Sequence, residues 1–187
     1  MMENTAARQD HFILLARYNQ WMNHKVYQLA SALSEDELHH NRGAFFSSVA
    51  GTLNHLLAAD LIWLNRYQQL AKPPVVLQQL SNFPIPVKLD QLLYADFNQL
   101  QGARTQLDEL LLTLCTELDE QHLQQVLPYK NMKGELMRKK FSPLLQHLFN
   151  HQTHHRGQLT TLFSQMGLDV GVTDLLMLID NEPADTL

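Results

Sequence analysis

Apolar residues recur every three or four positions along four long stretches of this chain, and that recurrence confines it to a helical architecture. The first stretch runs from about Thr5 to Leu33, with His11, Leu14, Leu15, Tyr18, Trp21, Met22, Lys25, Val26, Leu29, Ala32 and Leu33 on one side. The second starts at Ser47 or Ser48, either a good N-cap, and continues to about Leu70. Its stripe is Val49, Leu53, Leu56, Asp60, Trp63, Leu64 and Tyr67, and Lys72-Pro73-Pro74 ends it because proline cannot continue the hydrogen-bond ladder. The third is expected from Asp90, read as its cap, to about Leu118, with Leu93, Phe97, Leu100, Arg104, Leu107, Leu111, Leu114 and Leu118 in near-heptad order. The fourth opens at Ser142-Pro143, as cap and first helical residue, and closes at Gly167, where glycine accepts a left-handed conformation.

The intervening segments carry their own signals. Ser34-Glu35-Asp36-Glu37 has the form of a capping box for a short helix, and Arg42 to Phe46 reads as a loop. Lys72 to Lys88, with Pro84 and Pro86, reads as an extended surface connection. Val126-Leu127-Pro128-Tyr129 and Leu136-Met137-Arg138 flank Asn131-Met132-Lys133-Gly134 as a small β-hairpin, which Pro128 restricts to an edge. A last short helix is expected from Thr173-Asp174 to Ile179, with a frayed tail from Glu182 to Leu187. Four helices of roughly 24 to 29 residues, at ~1.5 Å per residue, make rods of roughly 35–45 Å. The expected fold is therefore all-α: an up-and-down antiparallel four-helix bundle in a single domain over residues 1–187, with the hairpin before the last long helix.

Composition bounds the function. Apolar residues make up 45% of 187, which supports a packed core, and the net charge of −5 argues against general nucleic-acid binding. No stretch approaches the ~20 uninterrupted apolar residues of a membrane span, and the N-terminus lacks the pattern of a signal peptide. The one cysteine, Cys115, lies in a Leu-rich run and reads as a buried small hydrophobe. A reducing, cytoplasmic setting is expected.

Chemistry concentrates in the fourth helix. Its stripe is Leu144, Leu148, His151, His155, Leu159, Leu162 and Met166, which at ~100° per residue all fall within about 80°. His151 and His155 thus stand where the pattern calls for leucine, one turn apart on a shared face. A buried unpaired imidazole is costly, and a divalent metal accepting both lone pairs removes that cost. His147 and His154 lie at the stripe edge and read as half-exposed polar residues. The third ligand must come from another helix. His55 is the best candidate, although it points ~120° from the centre of its own stripe, beside Thr52, Ala59, Ile62 and Arg66, and spacing leaves it undecided. His11, His24, His39, His40 and His122 read as surface residues.

Two charges also interrupt apolar stripes, Asp60 in the second helix and Arg104 in the third. They are expected to pair, since isolated buried charges are rarely tolerated; the sharper alternative turns Arg104 toward the metal pocket to receive an anionic substrate. Lys130, Lys133, Arg138, Lys139 and Lys140 crowd the hairpin and read as a solvated face.

Three stretches together carry a resemblance: Ala16-Arg17-Tyr18-Asn19-Gln20-Trp21-Met22-Asn23, Leu53-Asn54-His55 through Leu64, and His151-Gln152-Thr153-His154-His155-Arg156-Gly157-Gln158-Leu159 followed by Gly167. They resemble the DinB family, within the DinB/YfiT-like superfamily of metalloenzymes, over nearly the whole chain. The resemblance implies a four-helix bundle, often dimeric, whose divalent metal is held by three histidines that map onto His55, His151 and His155, with one position open for water or substrate. It also implies a site similar to those of bacterial transferases and isomerases that use mycothiol or bacillithiol. On this reading the protein is a metal-dependent enzyme, with zinc or nickel as metal, a low-molecular-weight thiol as cofactor, a small-molecule substrate, and thiol transfer, isomerisation or metal-assisted hydrolysis as reaction. The alternative is a non-catalytic homodimeric metal-binding bundle with a stress-related or interaction role.

Overall fold

A computed structural model describes residues 2–181, and the tail expected to fray from Glu182 lies outside them. The described residues are predominantly helical with one small antiparallel hairpin. Helices α1 (Met2–Ala30), α3 (Val49–Tyr67), α4 (Phe97–Glu117) and α6 (Phe141–Gln165) are the long ones, and α2 (Glu35–His39) and α5 (Glu120–Leu123) are short. Strands β1 (Val126–Lys130) and β2 (Leu136–Lys140) pair antiparallel, with Pro128 opposite Arg138. Helix α1 packs against α4 and α6, and α3 against α6 and α4. Their facing side chains, with Tyr67, Phe141 and Phe163 among the largest wholly buried, form one continuous apolar cluster. Among the described residues no helix is long and apolar enough to cross a membrane.

Local chemistry sets most of the boundaries. The Ser34 hydroxyl accepts from the Glu37 amide while Glu37 accepts from the Ser34 amide, the reciprocal capping that the sequence predicted. Ser48 caps α3 by accepting from the Gly51 amide at 3.0 Å, and replacing such a cap typically costs about 1 kcal/mol. Gly167, at φ 76°, ends the turn after α6.

Several expected boundaries move. Asp90 does not cap α4; Asp96 does, accepting from the Gln99 amide at 2.8 Å, so residues 88–95 are loop. Lys140, rather than Ser142, occupies the N-cap of α6, and Pro143 falls inside the first turn, where its missing N–H has no partner to lose. At 19 and 21 residues, α3 and α4 are shorter than the periodic pattern suggested. The segment after Pro74 is a 3-10 run, Val75–Asn82, that buries Val76, Leu77 and Leu80. It is a packed connection against α3 and α4 and not an extended surface strand. The last short helix is likewise 3-10, Leu175–Leu178.

The buried face of α1 also differs. Phe12, Ala16, Asn19, Met22, Asn23, Val26, Tyr27 and Ala30 are buried, whereas His11 is exposed and Trp21 and Lys25 are half-exposed. Two partner helices cover α1, so its buried face is broad and admits two asparagines. Those asparagines serve a polar network inside the core. Asp60 and Arg104 pair at 2.7 Å, and Arg104 also meets Asp108 at 2.9 Å. Burial opposes the Arg104 charge, but Asp108 and Asp60 outweigh it and hold its pKa above the ordinary value. Asn19 and Asn23 donate to Asp108 and accept from Arg156, which also donates to Gln152. The Asp60–Arg104 pairing expected from sequence is therefore present, inside a larger network. Arg104 does not line the histidine pocket.

Candidate metal centre

Helices α3 and α6 pack side by side and bring His55 against His151 and His155. The Nε2 of His55 lies 3.3 Å from Nε2 of His151 and 3.2 Å from Nε2 of His155. His55 and His155 are buried; His151 is partly exposed and forms the mouth of the site. Its position at the edge of the α3–α6 seam, not at the centre of the core, corrects the purely core placement that its stripe suggested.

Backbone and side-chain acceptors fix two of the rings. Nδ1 of His55 donates to the Leu89 carbonyl at 2.7 Å, and Nδ1 of His155 donates to Oε1 of Gln158 at 2.8 Å. With the proton held on Nδ1, each ring turns the lone pair of Nε2 inward. The Leu89 carbonyl is in place because Asn54, one residue before His55, clamps the same loop. Its Oδ1 accepts from the Tyr94 amide at 3.0 Å and its Nδ2 donates to the Tyr94 carbonyl at 3.1 Å.

Electrostatics keep the rings neutral. Burial lowers the pKa of His55 to about 4 despite its bond to Leu89, and burial with its neighbouring histidines lowers His151 to about 3. Burial lowers His155 as well. Two neutral imidazoles with inward lone pairs, and the Nε2 of His151 facing them, make a donor set that fits a divalent cation at their centre.

The surroundings were not legible as site residues. Phe46, from the loop before α3, stacks on His55 with centroids 3.7 Å apart and planes 16° apart. The loop aims it there through Ser47, which adopts φ 65°, and through the close approach of Phe46 to Gly51. Phe45, Phe46, Leu89, Asp90 and Gln158 line a cavity of about 560 Å³ over the three histidines. Asp90, expected to cap a helix, instead faces this cavity. Residue type could have flagged Gln158, one turn beyond His154, but the Leu89 carbonyl has no sequence signal. His154 lies on the cavity rim and is exposed. His147 is exposed too, edge-on to Trp63, and stands apart from the triad. His11, His24, His39 and His40 are exposed, as expected, and His122 is half-buried and bonded to Asp119. Cys115 is buried, with its thiol pKa pushed upward by burial.

Comparison with known proteins gives a consistent picture. The model of the DinB family matches residues 1–186. The chain is similar to the protein DinB of Bacillus subtilis (strain 168), at 24% identity over 162 residues, covering 86% of this chain and 88% of that protein. No solved structure matches it.

Proposed function

The chain belongs to the DinB family, and from that premise we propose that it is a divalent-metal-dependent enzyme whose metal is held by His55, His151 and His155. The observation that carries the reading is the convergence of three neutral imidazoles, with Nε2 of His151 and His155 at 3.3 and 3.2 Å from Nε2 of His55, beneath an open cavity. In this reading α1, α3, α4 and α6, each packed against two of the others, form an up-and-down antiparallel four-helix bundle in one domain, with the site at the α3–α6 seam. Nitrogen-only ligation with a free position suits zinc or nickel in a catalytic rather than structural role. When bound, such a metal supplies Lewis acidity that makes a water or thiol nucleophilic at neutral pH.

The chain's own groups divide the remaining work. Leu89 and Gln158 hold the proton of His55 and His155 on Nδ1, so that Nε2 stays available. Phe46 covers His55 and excludes water from one side. Asp90 is the carboxylate lining the cavity and takes the role of proton acceptor from an incoming nucleophile. The reaction class is transfer or addition of a low-molecular-weight thiol, or hydrolysis, in a cytoplasmic homodimer.

Two measurements test this. Elemental analysis of untagged protein is expected to give near-stoichiometric transition metal, and a metal-poor protein refutes the site. Thiols with electrophilic substrates are then screened against wild type and His151→Ala. Turnover by wild type and its loss in the variant is the expected result. Stoichiometric metal without turnover favours the non-catalytic metal-binding bundle.

A further inference from the structure

A second cavity, of about 270 Å³, adjoins the histidine pocket and shares Leu89 and His151 with it. Its walls are Trp63 and Arg66 from α3, Tyr129 from β1, Met132 from the hairpin turn and His147 from α6. The Arg66 guanidinium lies 4.6 Å from the Trp63 ring centroid and 5.0 Å from that of Tyr129. Among the described residues its one polar side-chain contact is a weak one, from Nη2 to the Met132 sulfur at 3.7 Å. Among the described residues it has no carboxylate partner.

Arg66 therefore differs from the two buried arginines of this core. Arg104 is neutralised by Asp60 and Asp108, and Arg156 is surrounded by Asn19, Asn23 and Gln152. Arg66 is partly buried, with its faces on two aromatic rings and its N–H edge lacking a charged acceptor. A guanidinium in that setting presents a flat fork of donors that matches a carboxylate in bidentate fashion. Burial chiefly lowers the pKa of His147, and Lys139 is close enough to lower it further, which puts a second cation beside the cavity. The hairpin carboxylate of Glu135 is engaged by the Asn131 side chain at 2.7 Å.

We propose that this cavity is the recognition lobe for the substrate, a small carboxylate with a flat apolar body whose carboxylate pairs with Arg66 while its other end reaches the histidine pocket past His151. The aromatic walls receive the apolar body, and Met132 adapts to its shape. The hairpin thereby becomes part of the site, and its cations become the approach field for an anion. Only the direction in which the substrate points rests on the metal-centre reading; the lobe itself does not.

The test uses metal-free full-length protein and reads binding, so it is independent of metal and turnover. Isothermal titration compares 3-phenylpropionate with the neutral isostere 3-phenylpropionamide. The acid is expected to bind wild type about ten-fold or more tighter than the amide. Arg66→Gln should abolish that preference, and Arg66→Lys should keep part of it. Equal affinities for acid and amide in wild type, no binding of either, or a preference unchanged in a folded Arg66→Gln overturns the proposal. If Arg66→Gln does not fold, as judged by circular dichroism, the wild-type comparison and Arg66→Lys decide. Failure of the wild-type protein to take up a transition metal, with the acid preference intact, would refute the metal reading alone.

Discussion

Phe46 lies flat on the imidazole of His55, 3.7 Å between centroids, and the two rings are held together by a backbone approach that only glycine permits at position 51. A Cβ on Gly51 would overlap the Phe46 carbonyl oxygen, which is backbone and cannot swing aside. Gly51→Ala should therefore destabilise the protein by about 1–3 kcal/mol, the usual range for overpacking, and should displace Phe46 from His55. Denaturant melts measure the first effect. Proton NMR of metal-free protein measures the second, as a rise in the His55 pKa from about 4 toward the ordinary histidine range. Phe46→Ala should reproduce the pKa rise. An unmoved His55 resonance in both variants would mean that the stack does not bury this ring.

Gln158 holds the Nδ1 proton of His155 without reaching the centre itself. Gln158→Leu should weaken metal affinity by about 10–100-fold, the typical effect of removing a ligand's outer hydrogen bond. His155→Ala should lose metal altogether under the same chelator competition. Equal affinity of Gln158→Leu and wild type would show that the His155 tautomer is set by something else.

The pH dependence of the metal-free protein follows from the three lowered histidines. In the unfolded chain these rings take up protons near pH 6.5, whereas in the fold His151 resists to about 3 and His55 to about 4. Below the unfolded pKa the unfolded state binds more protons, so stability present at pH 7 is lost progressively as pH falls through 6 and 5. His151→Ala should flatten that decline. Urea midpoints at pH 7.5, 6.0 and 5.0 give the comparison, and parallel curves for the two proteins would contradict the assignment.

Arg104 sits between Asp60 and Asp108 with all three groups buried. Arg104→Leu leaves two carboxylates without their cation and should cost about 3–5 kcal/mol, as for other buried pairs broken on one side. Because Arg104 does not line the histidine cavity, metal stoichiometry of the folded fraction should be unchanged. Loss of metal without loss of stability would place Arg104 in the site.

The sequence by itself determined the helical class, the hairpin around Asn131-Met132-Lys133-Gly134 and the anomaly of His151 and His155, because these rest on local periodicity and turn chemistry. It also pointed to an Asp60–Arg104 pair, since a buried charge requires a partner. It placed the buried face of α1 only in part: Met22 and Val26 are buried as expected, while His11, Trp21 and Lys25 are not. Which side of an amphipathic helix is covered depends on how many neighbours cover it, and α1 has two long ones. It misread Asp90 and the 3-10 run after Pro74 for the same reason, as polar or proline-rich segments whose roles come from what they pack against. His55 lay off its own stripe and became a member of the cluster only when α6 packed along that side of α3. Phe46, the Leu89 carbonyl and the Arg66 lobe belong wholly to the tertiary structure. The stack of Phe46 on His55, the bond from His55 to Leu89 and the closure of the Arg66 cavity by Tyr129 and His147 are tertiary contacts that no helical or strand period encodes.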